Sequence, residues 1–231
     1  MSSMPIFERA RDEGWADEEI VRRILKGDVV LFELLMRRHN QRIYRAIRSI
    51  LRDDTESEDV MQEAYVRSYE HLARFEGRAQ FSTWLTRIAV NEALNRLRAR
   101  GKLDPLDQQL NEGEDGAMSE FQSNSPTPEV SASRNEVRDL LEEAIMTLPI
   151  AYRTVIVLRD VEEMSTTETA VVLSLTDSNV KVRLHRAHEM LRAELFARAG
   201  ANSVQAFGFP ATRCDRVVRA VFERLEHVEA G

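Results

Sequence analysis

Residues 165–191 restrict the fold of this chain most strongly, because they have the pattern of two short helices joined by a tight turn. Ser165 and Glu168 have the spacing of a capping box, which begins a helix. Thr176 can cap a second helix, in which apolar residues recur every three or four positions from Val180 to Leu191. Two short capped helices around a tight turn are typical of a helix-turn-helix, whose second helix enters the major groove of DNA.

The second of these helices has a basic surface outside its apolar stripe. Helical spacing is predicted to direct four side chains toward solvent or a ligand, namely Lys181, Arg183, His185 and Arg186. An ordinary solvated amphipathic helix also carries such charges. The adjacent capped helices favour DNA binding over that interpretation.

The length of the chain, 231 residues, is enough for one large or two small domains. Its formal net charge of −7 at pH 7 indicates that any DNA binding depends on local basic surfaces. Cys214 is the sole cysteine, which excludes an internal disulfide. No segment approaches the roughly 20 apolar residues of a membrane span, and the N terminus is charged. We therefore expect a cytoplasmic protein without membrane insertion.

Helical periodicity occurs on both sides of a polar segment. Apolar residues recur every three or four positions in five segments, which are residues 28–51, 55–72, 82–100, 137–148 and 152–161. The second segment is predicted to begin with a capping box of Thr55 and Glu58. The run VIVL at 155–158 also has strand propensity, but no partner strand is evident. The predicted fold class is therefore all-α.

The polar segment divides the chain into two small helical domains. Because it is acidic and poor in large apolar residues, it cannot fold alone and is predicted to be a flexible linker. The predicted boundaries are 1–27 for an N-terminal segment, 28–101 for the first domain, 102–131 for the linker, 132–199 for the second domain and 200–231 for a C-terminal extension. Residues 212–227 predict one more helix, which we expect to pack on the second domain. A regulatory helix that contacts a partner is the alternative.

No constellation of residues indicates catalysis or cofactor binding. The sequence has no Gly-rich phosphate loop, no nucleophile elbow and no metal-ligand spacing. His39 and His188 are interpreted as ordinary helix-interface and helix-surface residues. We expect a protein that is not an enzyme and that has no cofactor and no metal site.

Four stretches of the sequence carry a family resemblance. They are LFELLMRRHNQRIYRAIRSIL at 31–51, TESEDVMQEAYVRSYEHLARF at 55–75, GRAQFSTWLTRIAVNEALNRLRAR at 77–100 and LPIAYRTVIVLRDVEEMSTTETAVVLSLTDSNVKVRLHRAHEMLR at 148–192. In this order they resemble the extracytoplasmic-function (ECF) class of bacterial sigma factors, which has two conserved domains. The resemblance implies a subunit that binds core RNA polymerase, directs it to promoter DNA and is often inhibited by an anti-sigma factor.

The resemblance also implies where polymerase binds. In similar sigma factors the helix that corresponds to residues 55–75 docks on a coiled coil of the polymerase. The matching polymerase-binding residues here are Asp59, Gln62, Glu63 and Arg67. A solvated helix face is the alternative interpretation for each of them.

The third predicted helix and the loop before it are implied to recognise and melt the minus-ten element. Asn91 and Asn95 lie four residues apart, although Asn is unfavourable within a helix. An amide both donates and accepts hydrogen bonds, which suits the edge of a base that has left the duplex. The remaining predicted contacts are Phe75, Gly77, Arg78 and Gln80 in the loop, with Phe75 alternatively a core residue, and Arg96, Arg98 and Arg100 on phosphates.

The helix-turn-helix is implied to recognise the minus-thirty-five element. The predicted contacts are Ser178, Asn179, Lys181, Val182, Arg183, His185 and Arg186, of which Ser178 and Asn179 lie near the phosphate backbone. Relatives vary at Val182 and His185, so the sequence does not specify the bases that are read. Nor does it specify the inducing signal or the anti-sigma factor.

Two other classes of protein were weighed against a sigma factor. A helix-turn-helix regulator without sigma activity would have a sensor or dimerisation domain at its N terminus, and such a domain has no use for an asparagine-bearing basic helix. A helical adaptor or enzyme would need a constellation of functional residues that the sequence lacks.

Overall fold

The computed structural model describes residues 6–101 and 131–206. Its helices are α1 (Ile6–Asp12), α2 (Asp17–Ile24), α3 (Phe32–Leu51), α4 (Asp54–Glu70), α5 (Phe81–Ala99), α6 (Ser131–Thr147), α7 (Ile150–Ile156), α8 (Thr166–Leu173) and α9 (Asp177–Ala206). No strand occurs in the described ranges, so the all-α prediction is confirmed and the run VIVL is helical. Residues 102–130 of the predicted linker and the predicted helix at 212–227 lie outside the described residues.

The first helical domain is built on α3, α4 and α5, which pack against one another. Buried aliphatic side chains such as Ile43, Ile47 and Leu85 lie between the helices and form their core. Helix α2 also belongs to this domain, because Ile20 and Ile24 are buried in the same core. Residues 1–27 were given only as an N-terminal segment with no structure assigned, although the apolar spacing of α2 is present in the sequence.

The start of α4 differs from the prediction. Asp53 caps this helix by accepting a hydrogen bond from the backbone N–H of Glu56 at 2.8 Å. The predicted capping box of Thr55 and Glu58 is therefore wrong. The Asp53 carboxylate binds the N–H groups of the first turn, so the helix begins two residues before the predicted start. Thr55 therefore already lies within the helix.

The helix-turn-helix has the predicted local structure. The Ser165 hydroxyl accepts from the backbone N–H of Glu168 at 3.1 Å, and the Glu168 carboxylate accepts from the Ser165 N–H at 2.8 Å. Helix α8 ends at Ser174, whose left-handed backbone (φ 55°) turns the chain. The Thr176 hydroxyl then accepts from the Asn179 N–H at 3.2 Å, which caps α9. The two predicted caps are confirmed.

The helices up to Leu191 form one compact unit. Leu158, Met164 and Val172 from the second helical part are buried in the same core as the residues of α3 and α5. Smaller apolar clusters, which include Ala187 and Val180, join α9 to α6, α7 and α8. The two helical parts therefore share a hydrophobic core, which the sequence analysis did not predict.

The capping box gives α8 a dependence on pH. Hydrogen bonds from Ser165, together with one from Thr83, hold the pKa of Glu168 below its ordinary value despite partial burial. A lowered pKa in the folded state means that the ionised carboxylate stabilises the fold above the unfolded pKa of about 4.3, and that this contribution is lost as pH falls through the folded value. We expect Glu168→Gln to reduce stability at pH 7 by about 0.5–1 kcal/mol and to have little effect near pH 3.

Thermal unfolding at both pH values measures this effect. Glu163→Gln removes the same charge from an exposed neighbour and serves as the control. Equal destabilisation by Glu168→Gln at both pH values would show that ionisation of Glu168 contributes nothing.

Candidate nucleic-acid interface

One face of α9 presents most of the residues predicted to recognise the minus-thirty-five element. Ser178, Lys181, His185 and Arg186 are exposed, whereas Asn179 and Val182 are half-buried. The opposite face is anchored by Val180 and Ala187, which are fully buried. The buried stripe therefore fixes the rotation of the helix and leaves its basic side accessible.

Arg183 is the exception on this helix. Its side chain is half-buried, and burial lowers the pKa of its guanidinium while Tyr152 acts in the opposite direction. Position 183 lies three residues after Val180 and four before Ala187, so it falls at the edge of the buried stripe. The expectation that Arg183 faces solvent is wrong for this reason.

Helix α5 presents both predicted asparagines on one exposed face. Asn91 and Asn95 are exposed, and Arg87 and Arg98 lie one turn before and one turn after them. Arg98 donates a hydrogen bond to the amide oxygen of Asn95 at 3.0 Å. We call these four residues the asparagine face. The sequence analysis did not select Arg87, although its four-residue spacing from Asn91 was a usable signal.

Arg96 and Arg100 lie elsewhere on α5. Arg96 forms an ion pair with Glu63 of α4, and this hydrogen bond raises the pKa of the Arg96 guanidinium. Arg100 donates to Glu56 of α4 at 2.6 Å. The three arginines that were predicted to hold phosphates therefore divide into two groups, of which only Arg98 belongs to the asparagine face.

The loop before α5 combines an aromatic cluster with exposed polar residues. Phe75 is half-buried and packs edge-on against Phe81, with ring centroids 5.6 Å apart. Trp84 completes the cluster, 5.5 Å from Phe75, and is half-buried against the core. Arg78 and Gln80 are exposed. Gly77 has φ +70°, a left-handed conformation that side chains rarely adopt, so the tight turn favours glycine there.

An open cleft between α4 and α5 brings the predicted polymerase-binding residues together. Its lining residues are Asp59, Gln62, Glu63, Val66, Arg67, Glu70, Glu92 and Arg96. Arg67 of α4 pairs with Glu92 of α5 across the cleft. Val66 is 60% exposed, which makes it an apolar side chain surrounded by charged ones. We call this surface the α4 cleft.

The structure also places the loop beside the first helix of the helix-turn-helix. Gly77, Arg78 and Gln80 line a cleft whose other side includes Thr167 and Val171 of α8. At the base of this cleft Thr83 donates a hydrogen bond to Glu168 at 3.1 Å. The predicted minus-ten loop thus lies next to α8, an arrangement that the sequence analysis did not anticipate.

Comparison with known proteins identifies both helical parts. Residues 35–103 match the family model for sigma-70 region 2, and residues 138–191 match the model for sigma-70 region 4. The chain is 34% identical over 181 residues to the RNA polymerase sigma-H factor of Pseudomonas aeruginosa, covering 76% of this chain and 91% of that protein. The ECF sigma factor SigW of Bacillus subtilis is 33% identical over 176 residues, covering 76% of this chain and 94% of that protein. The chain belongs to the ECF family of RNA polymerase sigma factors.

Solved structures have the same fold as this sigma factor. CnrH, solved in complex with the cytosolic domain of CnrY, matches with a TM-score of 0.57 and 27% identity, covering 79% of this chain and 99% of that chain. The sigma factor RpoE of Bartonella quintana, solved with the anti-sigma factor NepR, matches with a TM-score of 0.53 and 21% identity, covering 71% and 96%. This likeness extends to both helical parts of the sigma factor.

The family assignment decides between the classes of protein considered above. The chain is a sigma factor that directs promoter recognition by core RNA polymerase, and a regulator without sigma activity is not favoured. Within the described part of the chain, none of the helices has the length and apolar character to cross a membrane. The same residues contain no His, Cys, Asp or Glu group suited to hold a metal ion.

Proposed function

We propose that this sigma factor initiates transcription through three separate surfaces, which are the α4 cleft, the asparagine face with its preceding loop, and the exposed side of α9. The observation that carries the proposal is the exposure of Asn91 and Asn95 on one face of α5. Two amides on a solvent-facing helix surface reduce helical stability without contributing to the core, and they retain donors and acceptors that an external partner can use.

The asparagine face suits a melted minus-ten element. Asn91 and Asn95 offer donors and acceptors to base edges, and Arg87 and Arg98 offer positive charge to the neighbouring phosphates. Exposed Arg78 and Gln80 extend this surface into the loop. Since strand separation exposes base edges that the duplex hides, the amides contribute binding energy mainly after melting.

The α4 cleft suits a protein partner. Exposed Val66 lines the cleft together with charged and polar residues, and an apolar side chain among polar groups is the usual anatomy of a protein interface. Asp59, Gln62, Glu63 and Arg67 supply charge and hydrogen bonds that fix the register of the bound polymerase coiled coil.

Helix α9 is proposed to read the minus-thirty-five element. Lys181, Val182, His185 and Arg186 contact base edges, whereas Ser178 and Asn179 lie at the N-terminal end, where backbone N–H groups favour a phosphate. Arg183 supports the helix from its half-buried position and does not read bases. We further propose that the protein acts in the cytoplasm without a catalytic centre, and that an anti-sigma factor is its inhibitor.

Transcription from a duplex promoter tests the proposal. Purified protein is added to core RNA polymerase, and run-off transcripts are measured on promoters selected from a randomised library. We expect transcription that depends on both proteins. Promoter binding without transcription would instead support a helix-turn-helix regulator that lacks sigma activity.

Arg186→Ala is expected to relax specificity at one base pair of the minus-thirty-five element. A guanidinium binds the O6 and N7 atoms of guanine in a bidentate manner, and such a contact discriminates by about 1–3 kcal/mol. Binding to a set of single-base promoter variants measures this preference. Arg192→Ala, an exposed arginine further along the same helix, is the matched control. Uniform weakening across all variants would make Arg186 a phosphate contact.

A further inference from the structure

A row of arginines on α3 meets carboxylates of the second helical part. Arg45 donates to the Glu162 carboxylate at 2.9 Å, and Arg42 approaches its other oxygen at 3.4 Å. Arg42 also donates to the Glu162 backbone carbonyl at 3.2 Å. The Glu162 side chain is only 8% exposed, whereas both arginines are partly open to solvent. We call these three residues the Glu162 lock.

Apolar burial and a third arginine, Arg153 of the second helical part, reinforce this contact. Leu158 and Met164, on either side of Glu162 in the sequence, are buried in the core that contains α3 and α5. Arg153 is fully buried and donates to the backbone carbonyls of Ser49 and Ile50 at the end of α3. The contact between the two helical parts is therefore an extended interface.

This arrangement cannot engage both promoter elements at once. The minus-ten and minus-thirty-five elements lie about 25 base pairs apart, which corresponds to roughly 85 Å at 3.4 Å per base pair. The described residues up to Leu191 form one compact unit, and a compact chain of about 160 residues has a radius of gyration of about 15 Å. The hydrogen bond between Thr83 and Glu168 ties α8 directly to the first turn of α5. The two helical parts must therefore separate before α5 and α9 reach their elements.

We propose that the structure is a closed, autoinhibited state of the free sigma factor and that the Glu162 lock controls its opening. The proposal rests on the proposed function, because it assumes that both promoter elements are bound together. In the closed state α8 also lies beside the minus-ten loop, where Thr167 and Val171 form the other side of a shared cleft. Core polymerase and promoter DNA then act by binding the open state preferentially.

Because of its position, Glu162 can be substituted to change the equilibrium between the closed and open states. Glu162 is buried and depends on its two arginines, because an unpaired buried carboxylate is strongly unfavourable. Once the two parts separate, water solvates Glu162 and both guanidinium groups. Opening therefore leaves no charge buried and unpaired. Arg153 instead donates to carbonyls on both sides of the interface, so removing it would disturb the second part as well. Glu162 is therefore the residue at which the opening equilibrium can be changed without loss of the fold.

Fluorescence energy transfer in the full chain measures opening directly. The dye pair is attached through Ala73→Cys and Met190→Cys, both at exposed positions, with Cys214→Ser to remove the native thiol. We expect high transfer in the free protein and low transfer after addition of core polymerase and a promoter duplex. Low transfer in the free wild-type protein, equal to that of the polymerase complex, would overturn the proposal.

Charge substitutions test the lock itself. We expect Glu162→Arg to raise the open fraction at least about fivefold and to lower the sigma concentration for half-maximal transcription by a similar factor, with helicity by circular dichroism unchanged. Combining it with Arg42→Glu and Arg45→Glu is expected to restore the closed state. Glu163→Arg, which makes the same charge change at the exposed neighbour, is the matched control.

The outcomes separate this inference from the proposed function. Equal opening by Glu162→Arg and Glu163→Arg, or failure of the charge-swapped combination to close, would contradict the lock. Transfer that responds to these variants while no variant supports transcription would contradict the proposed function and leave the lock intact. Transcription by a protein that is always open in its free state would contradict the lock and leave the proposed function intact.

Discussion

Asn91→Ala is expected to reduce open-complex formation on duplex promoter DNA about tenfold or more while the affinity for core polymerase stays unchanged. Asn91 lies on the exposed face of α5 and does not line the α4 cleft, so its loss removes a base contact and leaves the residues of the polymerase surface in place. One lost base contact corresponds to about 1–3 kcal/mol. Permanganate reactivity of promoter thymines measures strand separation, and fluorescence anisotropy measures binding of core polymerase.

A premelted template sharpens this test. When the minus-ten bases are already unpaired, the Asn91→Ala defect is expected to be smaller, because the cost of unstacking no longer has to be met by the sigma factor. Gln41→Ala, which removes an exposed amide from α3 outside the proposed DNA and polymerase surfaces, is the control for nonspecific damage. A parallel loss of core-polymerase affinity in Asn91→Ala would show that the residue is structural.

Arg153→Met is expected to lower the free energy of unfolding by about 3 kcal/mol, the largest effect on stability that the structure predicts. The guanidinium is fully buried and donates to the carbonyls of Leu148 at 2.6 Å, Met146 at 3.3 Å and Ile50 at 3.4 Å, and also to that of Ser49. Methionine fills a similar volume but removes the guanidinium donor from these buried carbonyls, of which that of Leu148 keeps a second donor, Arg52 at 3.0 Å. Thermal and urea unfolding, followed by circular dichroism, measure the loss.

Two further variants make this prediction specific. Arg153→Lys retains the charge, but a single ammonium cannot reach the same set of carbonyls, so an intermediate loss is expected. Arg74→Met, at an exposed arginine, is expected to change stability by less than about 0.5 kcal/mol. Equal stability of Arg153→Met and the wild type would mean that water satisfies the carbonyls as well as the guanidinium does.

Many features of the fold and of the candidate site follow from short-range sequence signals. The Ser165–Glu168 capping box and the Thr176 cap predicted where α8 and α9 begin, and the four-residue spacing of Asn91 and Asn95 predicted that they share a face. The end of α9 at Ala206 was not predicted. The same signals failed where two caps compete, as at α4, because Asp53 and Thr55 are both acceptable N-caps by residue type. They also failed for Arg183, whose spacing places it at the boundary between the buried and exposed sides of α9.

The sequence by itself determined the helical fold, the helix-turn-helix and the family, because these depend on patterns within a few residues or on stretches that can be compared one by one. Only the tertiary structure decided that Arg96 turns to Glu63 while Arg98 stays on the asparagine face. It alone decided that the two helical parts share a core closed by Glu162 and Arg45, residues more than a hundred positions apart. The spacing of residues along a helix specifies which side is apolar, but the partner that covers that side depends on packing between distant segments.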